Sequence, residues 1–121
     1  MAKLSNFVQA LKLGAHLSAK VGTATGAASA ATCHAVAGRV TTEALTTAAA
    51  GEVSYTITNN KVKSTDLVMV NVKNGTNTTV GVVGQVATIS GGSFVVVFTN
   101  LHASAALNGT LVIDFVVIRP A

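Results

Sequence analysis

A chain of 121 residues, half of them hydrophobic, supports one domain with a core of its own. Only 10% of the residues are charged, 8 Lys and Arg against 4 Asp and Glu for a formal charge of +4; so poorly charged a surface suggests cover by partners or sister subunits. The single cysteine, Cys33, excludes an internal disulfide framework, and 4% aromatics give no material for a base-stacking platform or an aromatic sugar-binding cleft.

Residues 1–31 read as an extended N-terminal arm. Leu4, Phe7, Val8 and Leu11 recur at helical spacing, and Gly14 sits where a short helix stops. Lys3, Lys12 and Lys20 accompany them, and no acid falls in the first twenty residues. A basic leader of this kind suits an acidic surface, nucleic acid included; simple solvation of three lysines explains it equally well. A secretory leader cleaved near Ala28-Ser29-Ala30 is disfavoured, because Lys12, His16 and Lys20 interrupt the apolar region. No run is long enough to cross a membrane. Gly22 to Ala31 has nothing larger than Thr, so it reads as a flexible connector unless its small residues lie against a neighbour.

From Thr32 the pattern turns to strands, and residues 32–121 form the domain. Ala35 to Val40 is a weak strand, and Glu43 to Thr47 is expected to pair beside it. Ala48 to Gly51 is a turn or bulge region. Glu52 to Thr58 alternates cleanly, with Val53, Tyr55 and Ile57 inward. Asn59-Asn60 turns the chain into Asp66 to Val72, where Leu67 and Met69 share one face and Val68, Val70 and Val72 the other. Asn74-Gly75-Thr76-Asn77 is a strong turn signal. Thr79 to Ile89 reads as a long strand bulged at Gly81 or Gly84. Gly91-Gly92 leads into Phe94-Val95-Val96-Val97-Phe98, apolar throughout and so expected to be buried on both faces.

The last strand, Leu111 to Ile118, is β-branched and aromatic with one charge, Asp114. It is expected to be central in its sheet and covered on both faces. Leu111, Ile113, Phe115 and Val117 point one way, and Val112, Asp114, Val116 and Ile118 the other. The predicted core is Tyr55, Ile57, Val70, Phe94, Val96, Phe98, Ile113, Phe115 and Val117. Roughly seven short strands with frequent turns describe an all-β antiparallel β-sandwich or jelly-roll-like domain.

Chemistry is sparse. Glu43, Glu52, Asp66 and Asp114 are scattered, so no local carboxylate pair exists. Asp114 between Ile113 and Phe115 must be paired, hydrogen-bonded or at a subunit boundary, and a structural role beside a turn amide or Arg39 is favoured over catalysis. His16, His34 and His102 have no metal-ligand spacing, and Cys33 and His34 face opposite sides of a strand. A symmetric ring of His34 or His102 around an ion ranks below ordinary polar roles. No nucleophile elbow and no phosphate loop occurs. No cofactor is expected, and enzyme is the weakest class. Three Asn-x-Thr triplets, at Asn74, Asn77 and Asn108, are explained by turn chemistry.

A family resemblance sharpens the functional expectation. The residues that carry it are Gly38-Arg39-Val40-Thr41, Leu45-Thr46-Thr47, Ser54-Tyr55-Thr56-Ile57-Thr58-Asn59, Gly92-Ser93-Phe94, Asn100-Leu101-His102, Ala105 to Leu111 and Ile113 to Ile118. Over about two-thirds of the chain this resembles the small β domains of tailed-bacteriophage virion proteins. The resemblance implies a capsid decoration (cement) protein, bound as a homotrimer to the major capsid protein on the outer surface of the head. It implies no bond-making chemistry, no nucleic-acid contact and no membrane. The resemblance does not extend to the arm; its amphipathic, lysine-bearing layout makes Lys3, Leu4, Phe7, Val8, Leu11, Lys12 and Lys20 the candidate capsid contacts. A tail-fibre or tailspike head that binds a receptor is the alternative.

Overall fold

A computed structural model describes residues 21–120 of the chain. In chain order the strands are β1 (Val21–Thr25), β2 (Ala30–Thr32), β3 (Ala37–Thr41), β4 (Glu52–Thr58), β5 (Leu67–Asn74), β6 (Val82–Ser90), β7 (Ser93–Asn100) and β8 (Leu111–Ile118). They form two four-stranded sheets packed as a β-sandwich. Sheet A has the order β1-β3-β8-β5, and sheet B the order β2-β4-β7-β6. No helix occurs among the described residues.

Within β3–β8 every pairing is antiparallel, and β3 pairs with β8 as β4 pairs with β7. This nesting winds a long hairpin into two layers, the jelly-roll-like arrangement. The two N-terminal strands each add in parallel at an edge, β1 on β3 and β2 on β4, so both sheets are mixed.

Those two strands replace the expected connector over Gly22–Ala31, and the sandwich therefore includes residues ahead of Thr32. Their small side chains are what fits. A Cβ on Gly22 would stand 2.8 Å from Ala35 Cβ, and one on Gly26 would stand 1.5 Å from Tyr55 Oη. Ala27 and Ala30 exchange backbone bonds of 2.9 and 3.1 Å, closing a turn whose central residues have positive φ, Ala28 at 52° and Ser29 at 60°. Neither residue favours that region, so the turn is held from outside. Glu43 Oε1 accepts the Ser29 N–H at 2.6 Å, and Glu43 Oε2 accepts the Tyr55 hydroxyl at 2.8 Å. Burial pushes the Glu43 carboxyl up, but these bonds outweigh it and hold the group below its ordinary range.

The core lies between the sheets. Tyr55 and Ile57 come from β4, Phe94, Val96 and Phe98 from β7, Leu111, Ile113, Phe115 and Val117 from β8, and Val40 from β3. The Phe94 and Phe115 rings meet edge to face across the sandwich with centroids 5.2 Å apart. Full burial of each such ring stabilises by ~1.5–3 kcal/mol. Cys33 is buried among them, and burial pushes its thiol up, so it is an inert small apolar group.

Several expected details are corrected. Glu43 to Thr47 forms no strand; it makes only a bridge from Leu45 to Gly109. β6 starts at Val82, after Gly81 at φ +87°, and its irregularity falls between Val86 and Thr88. Gly84 is not bulged but pairs in register with Phe98, and its missing side chain leaves room for Val72. β7 is buried on one face only, since Val95 and Val97 are half-buried beside Thr56 and Ser54. β8 is central between β3 and β5 as expected, but its second face is open: Val116 and Ile118 are exposed.

Asp66 ties the C-terminal end of β8 to the loop before β5. Its buried carboxylate receives Arg119 Nε and a second guanidinium N–H, both at 2.9 Å, and the Lys63 N–H at 2.8 Å. The Arg119 hydrogen bonds and then the Lys63 amide lower its pKa from the ordinary 3.8 to about 2. The stabilisation is complete above the unfolded value near pH 4 and is lost as pH falls through about 2. The melting temperature of the full chain is expected to drop across that window, and Arg119→Gln to make the drop shallower. An unchanged slope in the variant would remove this pair from the account.

Candidate interaction surface

The predicted core residues Tyr55, Ile57, Phe94, Val96, Phe98, Ile113, Phe115 and Val117 all sit buried between the sheets, and Val70 is half-buried against them. The arm residues Lys3, Leu4, Phe7, Val8, Leu11, Lys12 and Lys20 lie outside the described residues.

The unusual surface is the outer face of sheet A. Its strand register assembles rows that run across all four strands. Val21 lies opposite Ala37, Ala37 opposite Val116, and Val116 opposite Met69. Beside that row Ile118 lies opposite Leu67. Val21, Leu67 and Met69 are 54%, 51% and 57% exposed, and Val116 and Ile118 are 36% and 42% exposed, so these rows form a contiguous apolar patch open to solvent. Scattered single apolar residues are ordinary on a protein surface, whereas aligned rows of them mark a contact site.

The neighbouring row is polar: Thr23, Arg39, Asp114 and Asn71. Arg39 donates to both Asp114 oxygens, Nε at 2.6 Å and the second nitrogen at 3.2 Å. Lys73 Nζ stands 3.2 Å from Asp114 Oδ2. The Arg39 hydrogen bond is the main cause that lowers the Asp114 pKa, with Lys73 adding to it. The acid within this apolar strand takes Arg39 as its partner, one of the alternatives that the sequence left open. This is a surface ion pair, and its contribution to stability is small.

Where β8 ends and β5 begins, Val36, Asn60, Lys61, Lys63, Val117 and Arg119 line an open depression of ≈ 420 Å³. The two described histidines are committed to the fold. His34 Nδ1 accepts the Asn60 N–H at 3.0 Å, and His102 Nδ1 accepts those of Ser104 and Ala105 at 3.1 and 2.9 Å. Among the described residues no group of three or more His, Cys, Asp or Glu is placed to hold a metal ion.

Comparison of the chain with protein-family models, with curated proteins and with solved structures finds no match.

The Asn-x-Thr triplets are turn devices. Asn77 is buried; it donates to Asn74 Oδ1 and the Thr79 carbonyl and accepts the Asn108 N–H at 3.0 Å. Asn108 in turn accepts the Thr78 N–H and donates to Thr78 Oγ1. Sequence reasoning missed the open face of sheet A because it read the apolar run of β8 as doubly covered. A signal was present: Leu67 and Met69 alternate with Val68 and Val70, which leaves one large apolar pair per face of β5.

Proposed function

We propose that this chain is a bacteriophage capsid decoration protein that binds the outside of the head as a trimer and stabilises the shell. Its partners on this reading are the major capsid protein and two further copies of itself. No reaction is catalysed, and no cofactor, nucleic acid or membrane takes part. The observation that carries the reading is the apolar outer face of sheet A. A sandwich that presents aligned rows of exposed apolar side chains on one sheet face suits a mechanical role better than a chemical one. The family resemblance of Gly38 to Ile118 supports the virion setting. Shell subunits clamped by a bound decoration chain gain stability by mass action, because the bound chain favours the intact shell over its separated parts.

Copy number in purified particles tests the proposal, by quantitative mass spectrometry against the major shell protein. An abundance comparable with that of the shell protein is the expected result. A few copies per particle would assign the chain to the tail or a fibre, and absence from particles would discard the virion reading.

A further inference from the structure

We infer that the outer face of sheet A is the docking surface itself, and that its partner presents an apolar centre rimmed by carboxylates. This inference rests on the decoration reading and names the contact that the reading leaves unassigned. The centre is the pair of rows Val21–Ala37–Val116–Met69 and Leu67–Ile118. The rim is cationic at both ends. Arg39 and Lys73 border the rows on one side, and Lys61, Lys63 and Arg119 line the depression at the other.

These are all five Lys and Arg of the described residues: Arg39 and Lys73 stand on the face, and Lys61, Lys63 and Arg119 line the depression where β8 ends. Only Asp66 and Asp114 answer them, so the face carries an excess of three positive charges. Glu43 and Glu52 line a different depression, beside the loop after β3. The charge pattern selects the occupant. Two copies meeting through this face would oppose one cationic rim to another, which costs free energy at an interface. A nucleic acid would leave the apolar rows uncovered, and the face offers no aromatic ring for stacking. A protein surface with apolar residues inside a ring of Asp and Glu matches both features, and the rim charges would steer its approach.

The test uses the full chain, purified heads that lack it, and co-sedimentation at low and high salt. One variant carries Met69→Ser with Val116→Thr; a second carries Lys61→Glu with Lys63→Glu. The side chains changed are exposed or on the rim, and unchanged thermal melts establish that both variants fold. The wild type is expected to saturate the heads and to weaken with salt. The apolar variant is expected to bind about tenfold or more weakly. The charge variant is expected to bind about tenfold more weakly at low salt and to lose most of the salt dependence. Wild-type binding matched by both variants would overturn this inference and leave the decoration reading standing. Failure of the wild type to bind heads would overturn both. Flotation of the wild type with phosphatidylglycerol vesicles, lost in the same variants, would reassign the face to lipid. A change in the sedimentation of the free variants with full head binding would reassign it to a second copy.

Discussion

Replacing Tyr55 by alanine is expected to destabilise the sandwich by about 3–5 kcal/mol, the range for deleting a buried aromatic ring and leaving its cavity. Tyr55 is fully buried, and its ring lies 5.8 Å from that of Phe98, centroid to centroid. Its hydroxyl also reaches the N-terminal strands. It donates to Glu43 Oε2 at 2.8 Å, and the same carboxylate holds the Ser29 N–H in the left-handed turn between β1 and β2. Burial first, then the Glu43 carboxylate, pushes the Tyr55 hydroxyl far up, so it stays a donor at any working pH. Tyr55→Phe separates the two roles. It keeps the ring, removes one hydrogen bond to a charged group, and is expected to cost about 1.5–3 kcal/mol. Hydrogen exchange should then show faster opening of Ala27–Thr32 in Tyr55→Phe, while the amides of β7 keep their protection. Equal loss of protection in β7 would mean that the hydroxyl serves the core and not the turn.

Asn100→Asp is expected to unfold the loop end of sheet B and to cost several kcal/mol, on the order of 3–5, by leaving buried carbonyls without a donor. Asn100 is fully buried at the end of β7. Its amide nitrogen donates to the carbonyls of Ala105, Thr47 and Ala48 at 2.8, 3.2 and 3.3 Å, and its Oδ1 accepts the His102 N–H at 3.0 Å. One side chain therefore fastens two loops that have little backbone pairing of their own. Aspartate fills the same volume, but sets an oxygen against three carbonyl oxygens. Asn100→Ala removes the donor without adding the repulsion, and is expected to fall short of the aspartate effect by about 1 kcal/mol or more. Chemical denaturation of the three proteins checks the order. An aspartate variant as stable as the alanine one would show that water reaches the site.

Much of the fold was readable from the residues. β4 runs from Glu52 to Thr58 as its alternation predicts, and Gly91-Gly92 makes the β6–β7 turn with Gly92 at φ +91°. Side-chain period is set by local chemistry, so such strands declare themselves. β1 and β2 did not, because Val21 to Thr32 has few large side chains and its turn uses Ala28 and Ser29 where glycine or asparagine is the usual signal. Their order comes from long-range fit: a hole beside Tyr55 that only Gly26 leaves open, and a carboxylate fourteen residues away that catches Ser29. Nothing local announces either.

The site was less readable than the fold. That Asp114 needs a partner was legible, because a charge in an apolar strand demands one, but the choice between a turn amide and Arg39 had to wait for the register that sets Arg39 opposite it. The open face was hidden, since Val112, Val116 and Ile118 look the same in a sequence whether a second layer or solvent faces them. Only the strand register, which places Val116 between Ala37 and Met69, turns scattered apolar residues into a surface.

A reconstruction of the particle that carries this chain tests the central claim most directly. On the proposed function, three copies of the sandwich are expected around a three-fold or quasi-three-fold position on the outside of the head, with Met69 and Val116 turned toward the shell. Density for this fold confined to the tail, or sandwiches on the head whose sheet A faces bulk solvent, would contradict it.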